Sequence, residues 1–158
     1  MQEEVYGTRR RDYSAWHRRL STGRYIGIER AQLLAMIDLD ASLYVEYDDK
    51  TKEPLALIET AQDVGQNTKP ATVTAKLARR ANLPAYTMLY ALSDSQNPAD
   101  RMWKDIESFR VKRLHPPPVT GWMILTPKEW ADALLALRDT QAAVLDIELF
   151  GIPEEIPF

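Results

Sequence analysis

Apolar and polar residues alternate most regularly from position 37 onward. Ile37, Leu39, Ala41, Leu43 and Val45 are interleaved with Asp38, Asp40, Ser42, Tyr44 and Glu46, which is the period of a half-buried strand. The run "YDDKTKEP" supplies a polar turn, and "LALIETA" returns as a buried, nearly continuous apolar strand. A helix is predicted over about 70–81. Asn67 or Thr68 can cap it, Pro70 suits its first turn, and Val73, Leu77 and Ala81 form its apolar stripe. Lys69, Lys76, Arg79 and Arg80 lie off that stripe. "PAYTMLYAL" reads as another strand, and "NPADRMWKDIES" as a loop with a short helix. "FRVKRLH" sets Phe109 and Val111 against Arg110 and Lys112 as an edge strand, which "PPP" at 116–118 ends.

A last helix is predicted over 127–139. Thr126 and Glu129 make a capping box, Pro127 occupies the first helical position, and Trp130, Leu134 and Leu137 face the core. Near the N-terminus "DYSAWHRRL" is a short helix opened by Asp12, with Tyr13, Trp16 and Leu20 at helical spacing. "IERAQLLAMI" fits either helix or strand. The order helix, strand, strand, helix, strand, strand, helix describes an α/β chain with a mixed sheet flanked by helices. The expected organisation is one domain over 1–145, with its core at about 37–92, and an acidic tail over 146–158 that packs through Phe150, Ile156 and Phe158.

Composition narrows the setting. At 158 residues the chain is long enough to bury a core. It has no cysteine, hence no disulfide framework and no thiolate metal site, and a cytoplasmic location is the expectation. No apolar run approaches bilayer-spanning length, and "MQEEVYGTRRRDY" lacks the apolar segment of a signal peptide, so no membrane partner is expected. The net charge of −3 argues against non-specific coating of nucleic acid. Its distribution is uneven. The first thirty residues carry seven arginines (Arg9, Arg10, Arg11, Arg18, Arg19, Arg24 and Arg30) against four acids, and "DIELFGIPEEIPF" carries four acids and no base. A local basic surface can meet phosphates, and an acidic tail with exposed aromatics can meet a protein partner, although such runs are commonly only solvated faces.

The acidic residues of the predicted hairpin raise a chemical question. Cleaving a phosphodiester with a hard divalent cation requires several oxygen ligands close together, and Mg²⁺ keeps waters, one of which becomes the nucleophile. A carboxylate early in one strand and another near the end of its hairpin partner provide such a cluster, and Asp40 and Glu59 stand at those places. A third ligand is commonly the backbone carbonyl one residue beyond the second acid, here Thr60. A lysine two residues beyond Glu59 would share its face and hold the attacking water or the phosphate.

These segments carry a resemblance. "IDLDASLYVEYDD…PLALIETA", followed by "TVTAKLARRANLPAYTMLY", resembles the core of the PD-(D/E)xK nuclease superfamily, the restriction-endonuclease-like fold, and is particularly similar to its small phage and prophage members. The likeness covers roughly 37–90. It implies metal-dependent DNA cleavage with Mg²⁺ or Mn²⁺ held by Asp40, Glu59 and Thr60, Asp38 assisting, and DNA as partner along Lys76, Arg79, Arg80 and the N-terminal arginines. One residue departs from the pattern: where the family's lysine would stand, "ETA" has Ala61. Lys69 at the start of the predicted helix, or Lys76 within it, is the candidate replacement, and a helix N-terminus adds to the effect of Lys69 on an anion.

Each of these residues also has a bland reading. Asp38 and Asp40 alternate with apolar residues as on any solvent-facing strand side, and Glu46 can pair across the hairpin with Lys52. Glu59 is harder to dismiss, because its neighbours look buried and a buried carboxylate needs a partner or a metal. His17 and His115 have no catalytic partner at a useful spacing, and "VGQNTKP" is no phosphate-cradling loop. Three readings stand: a small Mg²⁺-dependent nuclease using Asp40, Glu59 and Lys69; a non-catalytic descendant acting in binding or assembly; and an unrelated α/β domain whose hairpin mimics the motif.

Overall fold

The hairpin alternation becomes the first strand pair of a five-stranded mixed sheet in the order β1-β2-β3-β4-β5. The computed structural model describes residues 11–152, apart from the side chain of Ser14. By contacts the chain divides into two units, Met1–Asp38 and Leu39–Phe158. Among its described residues the first contains three short helices, α1 (Asp12–Arg18), α2 (Gly23–Ile26) and α3 (Ile28–Ala31). His17 is buried there, with its Nε2 2.7 Å from the carbonyl oxygen of Leu34. Arg9 and Arg10 lie outside the described residues.

The second unit holds β1 (Ala41–Glu46), β2 (Lys52–Gln62), α4 (Thr72–Ala81), β3 (Ala85–Asn97), β4 (Asp100–His115), β5 (Met123–Leu125) and α5 (Pro127–Phe150). β1 and β2 pair antiparallel with Ala41 opposite Ile58 and Glu46 opposite Lys52. The Lys52 ammonium lies 5.3 Å from the Tyr44 ring centroid, a cation–π contact on the exposed hairpin. α4 connects β2 to β3, which run parallel with Glu59 opposite Thr87. A crossover of this length is what a parallel pair requires. The strand expected over 37–47 begins only at Ala41, so Asp38 and Asp40 precede it.

In the segment 97–108, expected to include a short helix, residues 100–108 are strand instead. β3 and β4 form one long antiparallel hairpin reaching from Ala85 opposite His115 to Asn97 opposite Asp100. Its turn is Pro98-Ala99, where Asn97 Oδ1 accepts from the Ala99 amide at 2.9 Å. An Asn-Pro pair is strong turn chemistry, and it outweighs the loose helical spacing of Met102, Trp103 and Ile106. β4 is not the edge either, since β5 pairs with Phe109–Val111.

The sheet buries both faces. On one, Ile58, Phe109, Val111 and Trp130 form a cluster extended by Met88, Tyr90, Leu125 and Leu134. α5 covers this face, opened by the predicted capping box, in which the Thr126 side chain accepts from the Glu129 amide. The helix runs eleven residues past the expected end at 139, to Phe150, so the first part of the predicted tail is helical. Phe150 meets Tyr47 edge-on, with ring centroids 6.4 Å apart, while Ile156 and Phe158 lie outside the described residues. On the other face Leu57, Ala78 and Ala85 pack together beneath α4. The buried positions of α4 are Thr74 and Ala78, whereas Val73 and Leu77 are exposed, contrary to the predicted stripe. Small residues allow the helix close to the strands, and the Thr74 hydroxyl finds a partner in the sheet. α4 starts at Thr72 with Ala71 as an uncapped N-cap and ends on Asn82 in the left-handed conformation (φ 53°). Residues 67–70, expected to open the helix, are a loop.

Trp130 is the largest side chain in the α5 interface and is tilted against Phe109 at a ring separation of 5.9 Å. Trp130→Ala is expected to cost about 3–5 kcal/mol in urea unfolding, and Leu134→Ala, only partly buried, about 2 kcal/mol. A loss below about 0.5 kcal/mol for Trp130→Ala would mean that α5 does not cover the sheet.

Candidate functional site

Glu59 sits near the end of β2, between β1 and β3. Strand alternation turns Ile58 toward α5 and Leu57 and Glu59 toward α4. Glu59 is 4% exposed, and the Thr74 hydroxyl donates to its Oε1 from α4. Opposite it on β3, Thr87 is buried too, and its hydroxyl has no partner among the described residues. Asp40 reaches the same place from just before β1, where its Oδ2 accepts from the Thr60 amide at 2.8 Å.

Lys69 completes the group. Its Nζ donates to Asp40 Oδ2 at 3.0 Å, to Glu59 Oε2 at 3.1 Å and to the Thr60 carbonyl at 2.6 Å. One ammonium therefore gathers the three oxygens that the resemblance nominates as metal ligands. Partial burial pushes the Asp40 carboxyl up, but the Thr60 amide and the Lys69 ammonium outweigh it and hold it below its ordinary value.

The loop that delivers Lys69 is held from β4, two strands away from β2, and from the segment before β5. Arg110 on β4 grips Asp63 through two bonds, Nε to Oδ2 and Nη2 to Oδ1, each 2.7 Å, and donates again to the Gln66 carbonyl at 2.7 Å. Trp122, just before β5, donates from Nε1 to the Asn67 carbonyl at 2.8 Å. Its ring also receives Arg110 and Lys112, at 5.3 and 5.6 Å from the centroid. Inside the loop Asp63 Oδ1 accepts from the Gly65 amide at 2.9 Å, and Gly65 takes φ +85°, which glycine adopts without strain. Only Thr68 separates Asn67 from the lysine, so these ties restrict where its amine can go.

The other predicted site residues are placed as follows. Asp38 belongs to the N-terminal unit, where Arg18 donates to its Oδ2 at 2.5 Å. Ala61 is half-buried opposite Leu89, and the only amine on the Asp40–Glu59 pair among the described residues is that of Lys69. Lys76 and Arg79 line a groove of about 410 Å³ with Lys69 and His115, whereas Arg80 is exposed and does not line it. Thr74, Asp63, Arg110 and Trp122 were not expected at the site. The charge of Asp63 and the alternation of Arg110 with Phe109 were the available signals, but their pairing depends on strand order.

The donor set fits a hard divalent cation. Two carboxylates and a backbone carbonyl are the oxygen ligands that Mg²⁺ and Mn²⁺ accept, with water in the remaining positions. Among the described residues no group of three or more His, Cys, Asp or Glu side chains could hold a metal, so the Thr60 carbonyl is needed as the third protein donor. No helix among them is long and apolar enough to cross a membrane. The chain matches no known protein family, no curated protein and no solved structure.

The Asp63–Arg110 pair makes a pH prediction. Arg110, with the Gly65 amide, holds the Asp63 carboxyl below its ordinary value, so the ionised form is favoured by folding. Its stabilisation is full above the unfolded-state pKa of about 3.9 and is lost as pH falls through the lower folded value. Asp63→Asn should cost about 1 kcal/mol at neutral pH. The gap in melting temperature from wild type should stay constant down to about pH 5 and close only below about pH 4. A gap that closes by pH 6 would show that Arg110 does not act on an ionised Asp63.

Proposed function

We propose that this chain is a metal-dependent phosphodiester hydrolase acting on DNA, with Lys69 serving in place of the lysine that Ala61 lacks. The observation that carries this reading is the meeting of Asp40, Glu59, the Thr60 carbonyl and the Lys69 amine, with no contact longer than 3.1 Å. Mg²⁺ or Mn²⁺, when bound, supplies charge neutralisation at the phosphate and a water acidified for attack. Asp40 and Glu59 would hold it with the Thr60 carbonyl, and Thr74 fixes the rotation of the Glu59 carboxylate. Lys69 offers its ammonium to the phosphate oxygens or the attacking water, where charge develops. Lys76 and Arg79, with Arg80 on the same helix, bind flanking phosphates and set register rather than sequence choice. A cytoplasmic setting belongs to this reading and suits a chain without cysteine.

A second reading has one observation in its favour: the Lys69 ammonium already pairs with both carboxylates. In that case Lys69 stands permanently for the cation, and the fold acts as a binding or assembly protein. Its partner would meet the acidic end of α5, where Phe150 is 75% exposed.

Thermal melts and DNA cleavage separate the two. Under the hydrolase reading, Mg²⁺ or Mn²⁺ raises the melting temperature, and Asp40→Asn with Glu59→Gln abolishes that rise. Lys69→Met should keep the rise yet slow cleavage by about 100-fold or more. Cleavage that survives loss of both carboxylates would refute the site. Absence of any metal-induced rise, with no cleavage even in Ala61→Lys, would leave the second reading.

A further inference from the structure

Lys69 belongs to two neighbouring features of opposite charge. Its ammonium rests on Asp40, Glu59 and the Thr60 carbonyl. The same side chain also lines the groove of about 410 Å³ between α4 and the end of β4, where Lys76, Arg79 and His115 stand and, among the described residues, no carboxylate contributes to the wall. The groove is thus a basic cavity whose central lysine is withheld by the acidic pair beside it.

We propose that this groove is a phosphate-binding subsite and that Lys69 couples it to the cation site. The inference rests on the cation reading given above. A divalent cation and the Lys69 ammonium need the same three oxygens, and two positive charges cannot share them at contact distance. Repulsion between the two charges favours departure of Lys69 from the carboxylates when a cation takes them. The loop holds its backbone through Asn67 and Asp63, so the side chain swings while its base stays, and the adjoining groove receives the amine. There it adds its charge to those of Lys76 and Arg79, and the groove binds a phosphate group more tightly. The cation site and the phosphate subsite are in this way positively coupled, and linkage requires the coupling to be reciprocal. A phosphodiester is then held firmly only when the cation is in place.

Sulfate, as a phosphate surrogate, and Mg²⁺ test this by isothermal titration calorimetry on the full chain. Wild type should bind sulfate about fivefold or more tightly at saturating Mg²⁺ than without it. Lys69→Met should bind Mg²⁺ more tightly than wild type, because its competitor is gone, and its sulfate affinity should gain less than half as much from Mg²⁺. Lys69→Gln, which removes the charge but keeps a polar group, should behave likewise and covers the case in which Lys69→Met does not fold. Lys76→Ala with Arg79→Ala should lose sulfate binding and retain Mg²⁺ binding. If wild type binds Mg²⁺ but sulfate affinity is unchanged by it, or if the coupling is undiminished without Lys69, the proposal fails and the cation reading stands. Sulfate binding that survives loss of Lys76 and Arg79 places the anion elsewhere and also defeats it. If no variant binds Mg²⁺, both fall.

Discussion

A carboxylate on a buried stretch of strand must be given a counter-charge, and the rest of the site follows from that need. Glu59 lies on the α4 face of β2, a face otherwise built from Leu57, Ala78 and Ala85. Taking an unpaired charge into such surroundings costs several kcal/mol, and removing one member of a buried pair costs about 3–5 kcal/mol. Lys69 and Thr74 meet the need from two directions, each satisfying a different oxygen of Glu59. Asp40 then joins the same ammonium from the start of β1, and the Thr60 amide fixes it there.

Holding one lysine in this position draws on much of the sheet. The loop between β2 and α4 has little apolar anchorage of its own, and Val64 is 77% exposed. Its hold comes from β4 and from the segment before β5. The Arg110 fork is planar and meets Asp63 through two parallel bonds, a geometry that lysine could not reproduce. Trp122 stacks with Arg110 and binds the loop backbone as well. The long β3–β4 hairpin thus acts on the site through Arg110, although no residue of it touches the carboxylates among the described contacts.

Under the proposed hydrolase reading, the same arrangement would let a cation be held without a lysine at position 61. A motif lysine on the strand would lie beside the metal ligands. An amine arriving from a separate loop reaches over them instead and takes their charge in the absence of metal. A cation must then compete with an ammonium already in place, which weakens its binding relative to an open carboxylate pair. Under the proposed coupling, the groove along α4, which Lys69 also lines, would receive that ammonium.

Much of this was legible in the amino-acid order, because it depends on local period and turn chemistry. The hairpin of β1 and β2, the parallel return through α4 to β3 and the capping box of α5 are all written in alternation, in Pro and Asn placement and in Thr126-x-x-Glu129. Asp40 and Glu59 could be named together because they were expected early in one hairpin strand and late in its partner, whereas Lys69 was nominated only through the family resemblance, as a replacement for the lysine absent at Ala61. Local pattern did not decide the face of α4, since Val73 and Leu77 are the more apolar residues and the small, hydrogen-bonded Thr74 and Ala78 are buried instead. Nor did it decide the strand over 100–108, whose apolar spacing suits a helix until β3 lies alongside to pair with it. The meeting of Asp63 with Arg110, 47 residues away, and of Asn67 with Trp122, 55 away, depends on strand order alone. Periodicity specifies which residues share a face; only the assembled sheet brings distant faces within bonding distance.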